Sequence, residues 1–133
     1  MSPGTRGPYE RRSTQAISRS VAGLAAAATL GSAMMALAHL GIDSTVLGFI
    51  GPGRLIVPAA IGFVVGTAAF AVVTIGAWHR RRWAWSIALV INGLAFATAV
   101  FPFRGWFSVA AATVAAAAIT LLILPGGRLA FDR

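Results

Sequence analysis

The chain has 133 residues, of which 58% are hydrophobic and only 11% are charged, and its net charge at neutral pH is +8. A soluble domain usually carries about a quarter charged residues, so this composition excludes an ordinary soluble domain and is typical of an integral membrane protein. Cysteine is absent from the sequence, which excludes disulfide bonds, thiolate metal sites and thiol redox chemistry.

Residues 1–20 show no apolar periodicity and contain four arginines among prolines and glycines. Such a segment predicts a flexible basic tail, outside the folded domain. Arg11, Arg12 and Arg19 are expected to attract anionic lipid headgroups at the membrane surface.

Residues 21–40 form the first predicted membrane span, since twenty residues of helix cover about 30 Å, the thickness of the hydrocarbon layer. A second interpretation is a cleaved signal peptide, because Ala36-Leu37-Ala38 matches a small-residue cleavage site behind a basic segment. The apolar run is longer than a usual signal-peptide core, which favours the span.

A polar segment, residues 41–54, links the first two spans. Asp43 or Ser44 is expected to cap one short turn on the membrane surface, and Gly-Pro-Gly at residues 51–53 ends that turn.

Three more spans and a short cytoplasmic tail follow, over residues 55–78, 83–101, 106–124 and 125–133. Pro58 falls in the first turn of its helix, where proline is tolerated, while Pro102 and Pro125 mark helix ends. The prediction is an all-α bundle of four transmembrane helices, built as two hairpins.

The turn between the second and third spans is strongly basic, with Arg80, Arg81 and Arg82 between Trp78 and Trp83. A charge at the bilayer centre costs about 2.5–3.5 kcal/mol even on mild scales, so the arginines must face water. Tryptophan suits the adjacent headgroup level. The five residues are predicted to anchor and orient the bundle.

The arginines are unequally divided between the two ends of the predicted bundle. Only Arg54 and Arg104 lie on the side opposite the basic turn. We expect both to be snorkelling anchors, and the alternatives are an ion pair with Asp43 or binding of a lipid phosphate. Nine lie on the same side as the basic turn: Arg6, Arg11, Arg12, Arg19, Arg80, Arg81, Arg82, Arg128 and Arg133. The positive-inside rule therefore predicts that both termini are cytoplasmic. The arrangement also explains the basic charge as a topology signal without a nucleic-acid partner.

Small residues mark the faces through which helices approach each other in lipid. The predicted contact positions are Gly62 and Gly66 in span two, Asn92 in span three, and Gly23, Ala27 and Gly31 in span one. Gly62 and Gly66 suit either packing inside the bundle, which we favour, or a dimer interface. The surplus of small residues on spans one and four leaves room for a second protein to dock.

Candidate reactive residues are few. Asn92 suits a midplane ligand contact or, as we favour, one interhelical hydrogen bond. His39 and His79 are expected near opposite membrane faces, too far apart to share a metal. The predicted spans contain no charged side chain, and neither a nucleophile–base pair nor a phosphate loop is present. We therefore expect no enzyme activity, no metal and no cofactor.

Trp83-Ala84-Trp85 follows the basic cluster directly, and residues 124–128 read Leu-Pro-Gly-Gly-Arg after the last span. These patterns resemble the small, mostly uncharacterised four-span membrane proteins of high-GC Gram-positive bacteria. The resemblance implies a bacterial inner-membrane location and no activity, and Trp85 stands where such proteins often have arginine.

Two functions remain open from the sequence. The first is an accessory or assembly subunit of a larger membrane complex. The alternative is a homo-oligomeric channel or carrier for a small neutral or anionic solute, with Asn92, Thr113 and Thr120 lining the path. Lipid binding or membrane remodelling through the basic face is a third, less favoured, hypothesis.

Overall fold

The structure is a computed structural model that describes residues 7–42 and 55–131. It contains four α-helices, which are α1 (Pro8–His39), α2 (Val57–Trp78), α3 (Arg82–Val100) and α4 (Trp106–Ile123), followed by a 3₁₀ turn at Arg128–Phe131. All four helices are long and apolar enough to cross a membrane. The predicted all-helical architecture with four candidate spans is thereby confirmed for the described part of the chain.

The helix ends follow local backbone chemistry. Pro8 and Pro58 lie in the first turns of α1 and α2, where a missing N–H group leaves no hydrogen bond unmade. Gly105 precedes α4 with a φ of 75°, a left-handed conformation that favours glycine. Gly127 follows α4 closely, and a Cβ atom there would collide with the carbonyl oxygens of Leu121 and Leu122. The ends of α2, α3 and α4 consequently lie within two residues of the ends of the predicted spans.

The first helix differs from its prediction, because residues 8–20 are helical and not a flexible tail. The helix buries a stripe of residues at spacings of three and four, namely Thr14, Ser18, Val21, Ala22 and Ala25. Val21, Ala22 and Ala25 of this stripe pack in one cluster with residues of α2, α4 and the 3₁₀ turn, a buried surface that the local sequence did not reveal. At 1.5 Å per residue, α1 is about 48 Å long, so part of it extends beyond a hydrocarbon layer of about 30 Å.

The core lies at the end of the bundle that holds the basic turn. It joins Val21 and Ala25 of α1 to Phe70 and Val73 of α2 and to Leu122 of α4, with further small residues from α3. Alanine dominates the rest of this cluster, which allows the helices to approach closely. Most of the remaining helix surface is apolar and exposed, as expected for a surface that meets lipid.

Helix contacts are most extensive between α1 and α2 and between α3 and α4, with smaller contacts of α1 with α4 and of α2 with α3. Ser32 of α1 donates a hydrogen bond to the Phe63 carbonyl of α2 over 2.9 Å. The indole Nε1 of Trp85 in α3 donates to the Leu122 carbonyl of α4 over 3.0 Å. These two side-chain bonds tie each well-packed helix pair together.

Candidate functional site

The residues of greatest chemical interest lie where the basic turn meets α1 and the C-terminal 3₁₀ turn. We call this region the basic junction, formed by Thr14, Arg19, Trp78, Arg80 and Ala130. Each of the three segments contributes either a guanidinium group or a hydrogen-bond acceptor to it.

Arg80 joins the three segments of the basic junction. Its Nε donates to the Ala130 carbonyl over 2.8 Å, and its Nη2 donates to Thr14 Oγ1 over 3.5 Å. Its backbone has a φ of 56°, a left-handed conformation that costs an L-residue roughly 1–2 kcal/mol. Arg80 is half-buried, and its role as an anchor that orients the bundle remains a prediction.

The other predicted anchors differ in their environments. Arg81 and Arg82 are exposed, as are Trp78 and Trp83. The ring of Trp83 also lies against Gly76 of α2, where a Cβ atom would be 2.6 Å from Trp83 Cη2. Helices α2 and α3 are therefore in close contact at Gly76. Both the anchoring of the bundle by these side chains and their contact with lipid remain predictions.

Two arginines lie over tryptophan rings at the same end of the bundle. The Arg19 guanidinium carbon is 5.8 Å from the centre of the Trp78 ring, and that of Arg128 is 5.8 Å from the centre of the Trp85 ring. These distances are within the range of cation–π attraction. Each tryptophan thereby holds one guanidinium beside the end of a helix.

A polar cleft of ≈ 170 Å³ opens in the basic junction. It is lined by Gln15, Ser18 and Arg19 of α1, by Trp78 at the end of α2, and by Arg80 of the turn. The cleft was not predicted from the sequence, because residues 8–20 were assigned to a flexible tail. The available signal was the four-residue spacing of Arg11, Gln15 and Arg19, which aligns them on one face of a helix.

The small-residue positions of α1 do not pack within the bundle. Gly23, Ala27 and Gly31 are exposed on its outward side, and a Cβ atom at Gly23 or Gly31 would meet no neighbouring atom. Within the described chain these three residues therefore make no close helix contact. Packing against a second protein remains a prediction.

The two glycines of α2 have different neighbours. A Cβ at Gly66 would lie 3.0 Å from Ser32 Oγ of α1, so Gly66 lies where α1 and α2 approach each other. Gly62 is exposed, and a Cβ there would meet nothing. The shared role of Gly62 and Gly66, in internal packing or in a dimer interface, remains a prediction.

Asn92 lies on the buried face of α3 with Ala84, Ala88 and Ala99, and it is 3% exposed. Its Nδ2 donates to the Ala88 carbonyl over 2.8 Å. The side chain is buried and this bond is made within α3, so a hydrogen bond from Asn92 to another helix remains a prediction.

The threonines that the channel hypothesis placed with Asn92 lie elsewhere. Thr113 and Thr120 are exposed on α4. Each hydroxyl donates to the carbonyl four residues earlier, over 2.7 and 2.8 Å respectively. Asn92, Thr113 and Thr120 therefore do not line one path within the described chain.

One histidine lies beside each end of α2, and the first of them is the last residue of α1. His39 is buried, with Nδ1 2.8 Å from the Met35 carbonyl and its ring 5.0 Å from that of Phe63 near the start of α2. His79 follows the last residue of α2 and is exposed. Within residues 7–42 and 55–131, no cluster of metal-ligating side chains is present.

On the opposite side of the bundle, Arg104 is exposed and its backbone N–H donates to Ser108 Oγ over 2.8 Å. Arg54, the other predicted anchor on that side, lies outside the described residues, as do Asp43 and the predicted surface turn.

No protein-family model, curated protein or solved structure matches this chain significantly. The resemblance to four-span proteins of high-GC Gram-positive bacteria therefore stays a prediction.

Proposed function

We propose that this chain is a small accessory or assembly subunit of a larger membrane protein complex, without catalytic activity of its own. In this proposal it is a multi-pass protein of the bacterial inner membrane, arranged as two helical hairpins with both termini in the cytoplasm. The outward face of α1, formed by Gly23, Ala27 and Gly31, docks against a transmembrane helix of the partner.

The observation that supports docking is the exposure of these three small residues along α1. In lipid there is little hydrophobic force between helices, so association depends on close van der Waals contact, which small residues permit. The exposed face of α2 offers a contrast, because large side chains such as Ile61, Val65 and Val72 cover it. That face suits lipid chains, whereas the α1 face combines three small residues with the exposed Leu30.

The interior argues against a solute path through a single copy of the chain. The largest buried side chains include Phe131, Leu122 and Val73, and the described core cluster is made of apolar residues. A solute path needs polar groups or a water-filled cavity at membrane depth. Asn92 and the helix threonines instead satisfy carbonyl groups of their own helices.

The proposed orientation is supported by the position of the arginines. The basic turn, the N-terminal part of α1 and the 3₁₀ turn meet at one end of the bundle. This end collects most of the positive charge in the described chain. The positive-inside rule then favours a cytoplasmic location for it.

The decisive experiment is extraction of the protein in native lipid discs, followed by mass determination of everything that co-purifies. A stoichiometric foreign subunit is expected. Its retention should be lost in Gly23→Leu and Gly31→Leu, whose new side chains point away from the bundle. The matched control is Gly93→Leu on α3, where the position is equally open.

Recovery of this chain only with copies of itself would contradict the accessory proposal, and solute uptake in proteoliposomes would then be the measurement to make. Equal loss of the partner in Gly31→Leu and Gly93→Leu would contradict docking through α1.

A further inference from the structure

A groove opens between α3 and α4 at the end of the bundle opposite the basic junction. The residues that line it include Phe96 and Ala99 of α3, Phe103 of the connecting segment, and Ser108, Ala112 and Ala116 of α4. Its volume is ≈ 350 Å³, and pockets that hold small ligands usually measure about 300–1,000 Å³. The groove is therefore large enough for a ligand, and most of its lining side chains are apolar.

The dimensions of the groove suit one acyl chain of a lipid. From Ser108 to Ala116 the groove follows α4 for about 12 Å, since a helix rises about 1.5 Å per residue. One leaflet of the hydrocarbon layer has a similar thickness of about 15 Å, half that of the whole layer. Ala112 and Ala116 are too small to fill the space between the two helices, which leaves it open to a lipid chain.

The groove also contains a buried hydroxyl group that still has a proton to donate. Ser108 is 6% exposed, and its Oγ accepts a hydrogen bond from the backbone N–H of Arg104 over 2.8 Å. A serine hydroxyl can donate one hydrogen bond as well, and no residue of the described chain accepts one from Ser108. A buried donor without an acceptor costs free energy, so this position favours a ligand that brings an acceptor. The ester carbonyl at the head of a phospholipid acyl chain is an acceptor of this kind.

A cationic residue lies beside the same end of the groove. Arg104 is exposed, two positions before the start of α4, and its backbone is bonded to Ser108. In a phospholipid the phosphate and the ester carbonyls are attached to the same glycerol. A lipid whose ester lies at Ser108 therefore has its phosphate close to Arg104, and the opposite charges favour a phospholipid over an uncharged apolar ligand.

We propose that this groove binds one acyl chain of a phospholipid, with the Ser108 hydroxyl donating to the ester carbonyl and Arg104 beside the phosphate. The lipid belongs to the leaflet opposite the basic junction. This inference is independent of the partner-docking proposal, because the outward face of α1 takes no part in the groove.

The test counts the phosphatidylglycerol molecules that the full-length protein retains in native mass spectrometry and measures their affinity by titration in neutral detergent. One tightly held lipid per protein is expected. The ether-linked analogue lacks the carbonyl groups and should bind about fivefold more weakly, through loss of one neutral hydrogen bond. Diacylglycerol keeps the esters but lacks the phosphate, and it should bind at least about tenfold more weakly.

Ala112→Leu is the variant that fills the groove, and Ala111→Leu is its control, because Ala111 is exposed and does not line the groove. Ala112→Leu should weaken phosphatidylglycerol binding at least about tenfold, whereas Ala111→Leu should change it by no more than about twofold. Ser108→Ala should abolish the preference for the ester lipid over the ether lipid. Arg104→Gln should reduce the preference for phosphatidylglycerol over diacylglycerol, and Arg12→Gln, at the other end of the bundle, should preserve it.

The ester preference is measured on the native protein, so it decides the proposal even where a variant fails to fold. Equal affinity for the ester and ether lipids would overturn the proposal, as would an ester preference that survives in Ser108→Ala. Equal effects of Ala112→Leu and Ala111→Leu would also overturn it, since only a loose lipid shell around the helices would then remain. Loss of a second copy of the protein, with lipid binding unchanged, in Ala112→Leu would instead assign the groove to a dimer interface and refute the lipid site.

Discussion

Three glycines of α2 provide a graded test of helix packing by alanine substitution, because their surroundings range from open space to close contact with α3. A Cβ atom at Gly62 would meet nothing, and one at Gly66 would lie 3.0 Å from Ser32 Oγ. At Gly76 the new atom would lie 2.6 Å from Trp83 Cη2 and 2.7 Å from Ala84 Cβ. The same chemical change therefore meets three different environments on one helix.

The expected magnitudes follow from these distances. Ordinary carbon–carbon contacts begin near 3.5 Å, so the Gly76→Ala methyl is about 0.8 Å too close to Ala84 Cβ. The ring of Trp83 can rotate away, but Ala84 Cβ moves only with the backbone of α3. Overpacking of this kind costs about 1–3 kcal/mol in free energy of unfolding. Gly62→Ala should stay within about 1 kcal/mol of the native chain, the difference in helix propensity.

Gly66→Ala should fall between the other two variants, because Ser32 can turn its hydroxyl away only by losing its bond to Phe63. The double variant Gly66→Ala with Ser32→Ala should recover part of that loss. Unfolding in mixed detergent, followed by circular dichroism, measures all four variants. Equal stability of the Gly62 and Gly76 variants would refute the close approach of α2 and α3 and the packing derived from it.

Four further predictions concern single side chains. Asn92→Leu should change the free energy of unfolding by no more than about 1 kcal/mol, because its described hydrogen bond lies within one helix; a larger loss in the detergent assay would contradict that assignment. Trp85→Phe should lower stability by about 1 kcal/mol through loss of the indole bond to α4, and unchanged stability would refute the bond. Phe131→Ala should cost about 3–5 kcal/mol, since the ring is 1% exposed, and a near-neutral result would show that the 3₁₀ turn is not docked. The sequence has no native cysteine, so single cysteines can be labelled with a membrane-impermeant maleimide. Tyr9→Cys should react only from the cytoplasm and Phe103→Cys only from outside, because both side chains are exposed. Labelling of both from one side would contradict the proposed orientation.

Sequence reasoning identified the four helices because the relevant signal is local. A run of about twenty apolar residues reports its own ability to span a membrane, and prolines report where helices end. The buried ridge of α3 was also predictable, since Ala84, Ala88, Asn92 and Ala99 recur at helical spacing. A face of small residues indicates contact, but it does not identify the partner in that contact, and Gly23 and Gly31 show the difference.

The basic junction depended on tertiary structure. Arg80 is 50 positions from Ala130 and 66 from Thr14 along the chain, so no local pattern connects them. Residues 8–20 lack an obvious apolar stripe because their buried positions include Thr14 and Ser18, hydroxyl residues that satisfy carbonyls of their own helix. Contact with the 3₁₀ turn stabilises α1. Hydropathy and charge thus determine which segments enter the membrane, whereas the cleft exists only because distant segments pack together and turn two arginines toward the same space.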